Sequence, residues 1–167
     1  MGLPIKDFVA ASNANDVVPE YLQTGEYKPR PSVRTVANAM DVGAPSNFER
    51  MMWLCGSQYD AMVAEMKGYS CSDQQIKDAV SEIYNNYGYI SDPHSAVGYL
   101  ATKHYDNVGF WLSTAHAAKF CEITQQAMNV VPELPSGLAL AMGKHRVFTK
   151  VSSESDELKE ILLNYNN

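Results

Sequence analysis

Residues 6–22, KDFVAASNANDVVPEYL, contain in one short stretch the alternation that decides the fold. The segment Lys6–Ser12 has the apolar run of a short β-strand, and Val17–Leu22 has the pattern of a short helix that would end near Gly25. Between them lies a polar turn, SNAND. A strand that leads through a polar turn into a helix is typical of α/β proteins, in which ligands bind at such turns beyond the carboxyl ends of the strands.

The rest of the chain continues this alternation. We expect further strands at Val33–Met40, Asn107–Ser113 and Arg146–Val151. The other predicted helices cover about residues 47–55, 59–67, 73–87, 93–104, 117–128, 136–142 and 156–165. About four strands are too few for so many helices. The sequence therefore predicts an α/β fold with a mostly parallel sheet that is flanked by helices and is incomplete.

Several predicted helix starts have recognisable capping patterns. Residues 46–49 and 72–75 have the spacing of capping boxes, and Asp92 precedes Pro93 as an N-cap precedes a first-turn proline. A helix start with free backbone N–H groups and a nearby arginine is also suited to an anion. The stretch PSNFER, residues 45–50, therefore allows both a structural and a phosphate-binding interpretation.

Composition limits the classes of function. A chain of 167 residues is the size of one domain, and we expect no internal boundary within residues 1–167. The net charge of −6 argues against binding to nucleic acid. Three cysteines without a CxxC motif suit free thiols and argue against a metal site. Because the chain has neither a long apolar run nor a signal-peptide pattern at its start, we expect a cytoplasmic protein without a membrane partner.

Four polar stretches are candidate ligand sites, and each also has an ordinary structural interpretation. They are residues 12–16, 44–50, 92–98 and 113–120. The first could be a turn that caps the next helix, His94 could bond to a neighbour, and Thr114 could cap a helix. His116 could be a general base or structural. No GxGxxG, Walker A or GxSxG motif is present, so the residues alone indicate only a domain that binds an anionic ligand.

The same segments resemble threonine synthase, a pyridoxal-phosphate enzyme family of the tryptophan synthase β type. The matching segments are FVAASNAND (8–16), the stretch from Ser32-Val through NAMDVG (32–43), PSNFER (45–50), DPHSAVG (92–98) and STAHAAKF (113–120). They are ordered and spread over most of the chain. The resemblance implies the C-terminal part of such an enzyme, which would also account for the incomplete sheet.

The resemblance implies a reaction and a missing part. The family converts O-phospho-L-homoserine and water to L-threonine and phosphate, with pyridoxal phosphate as the electron sink. It places the Schiff-base lysine and the loop that holds the cofactor phosphate upstream of Met1. We therefore expect that the chain contains no Schiff-base residue, is inactive alone, and works with the N-terminal part of the same enzyme.

The resemblance also assigns candidate site residues. Thr114 is the first candidate for a neutral hydroxyl that faces the pyridine nitrogen of the cofactor, and Ser113 is the second. Ala117 departs from the family, where proline is common. The candidates on the substrate side are Ser46, Asn47 and Arg50 for the phosphate, Asn13, Asn15 and Asp16 at the end of a strand, and Asp92 and His94, whose separate roles are not assigned.

Two other interpretations stay open. The chain could come from a related pyridoxal-phosphate lyase that acts on a different amino acid, or it could be a stand-alone binding module without catalysis. Release of phosphate from O-phosphohomoserine would distinguish a threonine synthase from the related lyase. The coding sequence before Met1 would distinguish part of a longer enzyme from the stand-alone module.

Overall fold

The computed structural model describes residues 4–105 and 109–164. The chain divides into two compact units, Met1–Glu133 and Leu134–Asn167. In the described residues, the first unit contains two strands and six α-helices, and the second contains two α-helices. The expectation of one region without an internal boundary stays a prediction, because a grouping of contacts identifies packing units and not independently folding domains.

The sheet of the first unit has two parallel strands, β1 (Phe8–Ser12) and β2 (Met66–Ser70). They pair from Phe8 with Met66 to Ser12 with Ser70, so both strands end at the same edge. This confirms the predicted α/β fold with a small parallel sheet. The sequence did not indicate β2, because residues 66 and 67 continue the helical pattern before them.

Eight α-helices occur in the described residues. They are α1 (Val17–Thr24), α2 (Phe48–Leu54), α3 (Tyr59–Glu65), α4 (Asp73–Tyr87), α5 (Pro93–His104), α6 (Cys121–Met128), α7 (Ser136–Met142) and α8 (Ser155–Asn164). Two 3₁₀ turns, Asn38–Met40 and Ala117–Phe120, complete the regular structure. All predicted helices are confirmed, with shifts of a few residues at their ends.

Helix caps explain several of these boundaries. Gly25 has φ of 76° after α1, and Gly88 has φ of 65° after α4, where a left-handed residue ends a helix at low cost. The capping box of residues 72–75 is confirmed. The capping box of residues 46–49 is wrong, because Asn47 is the N-cap of α2 and no side chain caps that helix.

The prediction of a strand at Val33–Met40 is wrong, because side chains take its backbone hydrogen bonds. The backbone N–H of Val33 donates to Asn15 Oδ1 at 2.8 Å, and that of Thr35 donates to Asp41 Oδ2 at 3.0 Å. The backbone N–H of Val36 likewise donates to Asp73 Oδ1 at 3.1 Å, so side chains and not a neighbouring strand take three of these donors.

The two later strands are also wrong in the described residues. Within Asn107–Ser113, residues 107 and 108 lie outside the described part of the chain, and residues 109–113 form no strand. Phe110 is 73% exposed and Leu112 is 75% exposed. The segment Arg146–Val151 is likewise irregular, with Val147 90% exposed. Apolar composition predicts a strand only where a partner strand can bury it.

The first unit has two hydrophobic clusters. One joins α1, α2 and α3 through Tyr21, Leu22, Phe48 and Met62. The other lies mainly between α4 and α5 and includes the buried residues Ala37, Cys71, Ile76, Ala79, Val80, Ile83, Ala96 and Val97. These clusters fix the helices that follow both strands, and they therefore fix the polar turns at the carboxyl edge of the sheet. No helix in the described ranges is long and apolar enough to cross a membrane.

Cys71 follows β2 and should react slowly with alkylating agents. It is 5% exposed, and burial, with a smaller contribution from the Asp73 carboxylate, raises the pKa of its thiol to about 11. Because the thiolate is the nucleophile, we expect iodoacetamide to modify Cys71 at least about tenfold more slowly than the partly exposed Cys55 in the native protein. Mass spectrometry of timed samples measures both rates, and equal rates would contradict the described burial.

Candidate functional site

Two of the four predicted polar stretches, residues 12–16 and 44–50, meet beside the carboxyl end of β1. An open cleft of about 550 Å³ is lined by the strand residues Val9–Ser12, by Asn15, by the 38–43 turn, and by Pro45, Ser46 and Asn47. Two candidates from the segment PSNFER therefore share a surface with one candidate from the SNAND turn. Arg50 lies one turn along α2 and is exposed, but it does not line this cleft.

Asn13 is the buried centre of a polar network behind this cleft. Its amide nitrogen lies 2.7 Å from Thr35 Oγ1, 2.8 Å from Asp41 Oδ1 and 3.1 Å from the carbonyl oxygen of Ala37. The side chain is fully buried. Because all of its polar atoms have partners within the protein, Asn13 holds the 35–41 loop against the end of β1.

Asn15 is bound into the same network from the other side. Its backbone N–H donates to Asn13 Oδ1 at 2.8 Å, and its amide nitrogen donates to the carbonyl of Val33 at 2.9 Å and lies 3.1 Å from Asp41 Oδ1. Asn15 is 8% exposed at the cleft. The SNAND turn is therefore built from reciprocal side-chain and backbone bonds, and Asn15 lies in the wall of the cleft.

Asp16 lies in an exposed ion-pair cluster and not in the cleft. The guanidinium of Arg30 donates to both Asp16 and Glu20. Asp16 is the N-cap residue of α1, but its side chain makes no cap hydrogen bond, so the interpretation of the 12–16 turn as a side-chain cap is wrong. Arg30 also donates its backbone N–H to the carbonyl of Gly43 at 2.9 Å, which fastens the two ends of the 30–43 loop.

The segment PSNFER leaves its polar side chains available. Ser46, Asn47 and Arg50 are exposed. Within residues 4–105 and 109–164 none of the three makes a side-chain hydrogen bond or ion pair. The carbonyl of Pro45 accepts from the backbone N–H of Phe48 at 3.2 Å, so a turn takes the place of the predicted cap.

Asp92 and His94 form a buried pair at the start of α5. The carboxylate of Asp92 caps the helix by accepting from the backbone N–H of His94 at 2.9 Å and of Ser95 at 3.4 Å. His94 Nδ1 lies 2.9 Å from Asp92 Oδ1, and His94 Nε2 accepts from the backbone N–H of Ala39 at 3.0 Å. The predicted N-cap is confirmed, and so is the interpretation of His94 as bonded to a neighbour.

The hydrogen bonds to Asp92 keep its carboxylate charged. Burial by itself raises the pKa of Asp92, but hydrogen bonds from the side chains and backbone of His94 and Ser95 outweigh it, so that the pKa lies below its usual value. Asp92 is 1% exposed. An anion at the N-terminus of α5 is further favoured by the helix dipole.

The STAHAAKF segment packs against this helix start. The Ser113 hydroxyl lies 3.1 Å from Ser95 Oγ and 3.1 Å from the hydroxyl of Tyr89, and the ring of Phe120 lies 4.7 Å from that of His94. Thr114 is exposed, and its hydroxyl has no hydrogen-bond partner in the described part of the chain. All the matching segments thus meet at one side of the sheet.

His116 has a structural contact that its position after a predicted strand did not reveal. Its Nδ1 accepts from the backbone N–H of Ala118 at 3.1 Å and so caps the 3₁₀ turn that begins at Ala117. His116, and not Thr114, is therefore the capping residue of this segment. In the described ranges no three His, Cys, Asp or Glu side chains are grouped as a metal site.

The sequence reasoning missed three residues that build the site. Asp41 accepts from Asn13, Asn15 and Thr35, and so its carboxylate is the shared acceptor of the polar network behind the cleft. It lies inside the matching stretch NAMDVG, which was the signal available for it. Thr35 lies in the same matching stretch, residues 32–43, whereas Tyr89 lies in a segment without a motif, and only the folded chain shows the contacts of both.

Comparison with known proteins gives the class first. The model of the family described as "Threonine synthase, C-terminal" matches residues 95–162. The structure aligns with that of the pyridoxal-phosphate-bound threonine synthase from Brucella melitensis with a TM-score of 0.83 and 26% identity, over 97% of this chain and 41% of that one. The fold is therefore that of the C-terminal part of a pyridoxal-phosphate enzyme.

The particular resemblance follows from sequence. The chain is 35% identical to the threonine synthase of Serratia marcescens over 98% of its own length and 38% of that protein's. The Escherichia coli threonine synthase structure has a TM-score of 0.82 and 32% identity, over 98% of this chain and 39% of that one. The resemblance to the C-terminal portion of threonine synthases is confirmed, and the chain spans about two fifths of the length of these relatives.

Proposed function

We propose that this chain supplies the C-terminal part of the active site of a cytoplasmic threonine synthase. The protein that contains it would convert O-phospho-L-homoserine and water to L-threonine and phosphate. The observation that carries the proposal is that the matching segments, which lie far apart in sequence, meet at the carboxyl edge of the parallel sheet and beside the start of α5. This is where α/β proteins bind ligands.

Thr114 suits the cofactor role that the resemblance implies. Pyridoxal phosphate, when bound, supplies an electron sink for carbanions on the substrate. The exposed Thr114 hydroxyl has no partner among the described residues and so remains free to face a ring nitrogen as a neutral group. The Ser113 hydroxyl is engaged by Tyr89 and Ser95, which supports Thr114 over Ser113.

The phosphate of the substrate is assigned to the segment at the mouth of the cleft. Ser46 offers a hydroxyl, Asn47 an amide and Arg50 a guanidinium that can bind two phosphate oxygens at once. Their side chains are unengaged in the described structure, which supports a ligand role. Asn15 lines the same cleft, but its amide is bonded to Val33 and Asp41, so it would hold the wall of the cleft beside the substrate. Burial of Asn13, Asp92 and His94 favours a supporting role for these three.

The activity test uses the protein that naturally carries this sequence. It should release phosphate from O-phospho-L-homoserine and form an equal amount of L-threonine, measured by a phosphate assay and amino-acid analysis. Residues 1–167 alone should do neither. Turnover of another amino acid without phosphate release would instead indicate a related lyase. Binding without turnover by the natural protein would indicate a binding module, and either result would overturn the proposal.

Replacing Thr114 tests the cofactor contact. The substitution Thr114→Val keeps the size of the side chain but removes the hydroxyl, so we expect kcat to fall by about tenfold to a hundredfold with a smaller change in KM. Thr114→Ser restores a hydroxyl and should recover most of the rate. Steady-state phosphate release and the absorption maximum of the bound cofactor are the measurements. Equal rates for the valine and serine variants would contradict the assignment.

A further inference from the structure

A continuous hydrogen-bond chain joins the Thr114 segment to the loop at the end of β1. From Tyr89 it passes through Ser113, Ser95 and Asp92 to His94, with the Tyr89–Ser113 and Ser113–Ser95 oxygens each 3.1 Å apart. His94 then accepts from the backbone N–H of Ala39 at 3.0 Å. Ala39 lies two residues before Asp41, which binds Asn13 and Asn15.

The protons in this chain can be assigned by counting donors. The Asp92 carboxylate only accepts, so the single proton of the Ser95 hydroxyl points to Asp92. The Ser113 hydroxyl lies between Ser95 and Tyr89, within hydrogen-bond distance of both. On the other side, a backbone N–H only donates, so His94 Nε2 carries no proton and Nδ1 donates to Asp92. The side-chain protons of Ser95 and His94 are therefore both directed towards Asp92.

We propose that His94 is a positioning residue that is held in its Nδ1–H tautomer. It sets the location of the Thr114 segment relative to the 35–41 loop. This inference deepens the proposed function and rests on it for the role of Thr114. His94 does not contact substrate in this assignment, because it is 7% exposed and both of its ring nitrogens are engaged.

Only an imidazole at this position satisfies both partners. It offers a donor to Asp92 and an acceptor to the backbone of Ala39 on opposite sides of one rigid ring, and the ring also packs against Phe120. Asparagine places an amide near Nδ1 and retains only the Asp92 bond. Glutamine places an amide near Nε2 and retains only the Ala39 bond. The two variants therefore each break one side of the link.

The first experiment reads the link without using enzyme activity. In the natural protein with ¹⁵N-labelled histidine, nuclear magnetic resonance should show a proton on Nδ1 and none on Nε2 of His94. The substitutions His94→Asn and Ser95→Ala should both shift the backbone amide signals of Ser113 and Thr114. His104→Asn, an exposed histidine at the end of the same helix, should leave those signals unchanged. The opposite tautomer, or unmoved Ser113 and Thr114 signals, would overturn the proposal.

The second experiment separates positioning from folding and from binding. We expect His94→Asn and His94→Gln to lower kcat on O-phospho-L-homoserine about tenfold to a hundredfold while KM changes less than about threefold. Ser95→Ala breaks the link without touching His94 and should lower kcat similarly. The double variant His94→Asn with Ser95→Ala should lose no more than the stronger single variant, because both break one chain. Additive losses, or a change in KM alone, would overturn the proposal.

The two experiments fail in different ways. If the natural protein does not act on O-phospho-L-homoserine, the proposed function fails, and the tautomer and the amide signals still decide whether His94 links the two segments. If the protein is active but His94→Asn and Ser95→Ala leave kcat unchanged, the positioning role fails and the proposed function stands.

Discussion

The substitution Gly43→Ala is expected to destabilise the first unit by about 3 kcal/mol or more. A Cβ atom on Gly43 would lie 1.8 Å from the carbonyl oxygen of Arg30 and 2.9 Å from the backbone nitrogen of Ser32. These are backbone atoms, so no side-chain rotation can relieve the overlap. The two segments are also joined by the hydrogen bond from Arg30 N–H to the Gly43 carbonyl. Urea unfolding measures the loss as a lower midpoint with an unchanged slope.

The matched control for this prediction is Gly109→Ala. Among the described residues, no heavy atom lies within 4 Å of a Cβ atom at Gly109, so the same chemical change meets open space there. Its expected effect ranges from none to about 1 kcal/mol of stabilisation, since alanine restricts the unfolded chain. If Gly43→Ala also fell within this range, the close approach of the 30 and 43 backbones would be wrong.

Local signals in the sequence predicted the helices because each helix contains its own evidence. The Ser72 capping box, the Asp92-Pro93 start and the glycines at 25 and 88 act within one turn of the chain, and the structure confirms all of them. The first strand was also predicted from its apolar run. Fold class followed from the alternation of these elements, since α/β proteins are built from repeated strand and helix units.

The strands were harder to predict because a strand depends on a partner distant in sequence. Strand β2 pairs with β1 although it contains Gly68, a residue type that disfavours strands. Glycine is needed at this position because a side chain there would meet the backbone of Pro19. The apolar segment before Ser113 has no strand beside it in the described residues. The segment after Val33 was predicted as a strand because it contains β-branched residues. Nothing in its sequence indicates that the side chains of Asn15 and Asp41 bind its backbone.

The candidate site likewise combines local features that the sequence predicts with long-range contacts that it does not. Motif resemblance located the segments that meet, but not the residues that hold them together. Asp41, Thr35, Ser95 and Tyr89 act only through contacts across the fold. Asn13 and Asn15 were predicted as equivalent candidates, and the structure buries both, although only Asn15 lines the cleft. Long-range hydrogen bonds, unlike caps, leave no fixed spacing in the sequence.

The substitution Asn13→Asp should be strongly destabilising although it only replaces the side-chain amide group NH2 by an oxygen of similar size. The Asn13 amide nitrogen now donates towards Asp41 Oδ1, Thr35 Oγ1 and the Ala37 carbonyl. An oxygen there would face acceptors where the amide now donates, and it would place a second carboxylate oxygen 2.8 Å from Asp41 Oδ1 at a fully buried position. We expect a loss of about 3 kcal/mol or more in the free energy of unfolding near neutral pH.

The pH dependence of this loss identifies its cause. Repulsion and burial would raise the pKa of the introduced carboxyl above its value in the unfolded chain. The folded state would then bind the extra proton more tightly, so the deficit should shrink as pH falls towards about 4 and grow as pH rises. Urea unfolding of both proteins across this range measures the difference. Asn85→Asp, the same change on the exposed face of α4, should stay within about 0.5 kcal/mol at every pH. A deficit for Asn13→Asp that did not vary with pH would point to altered packing and would contradict the network of donors around Asp41.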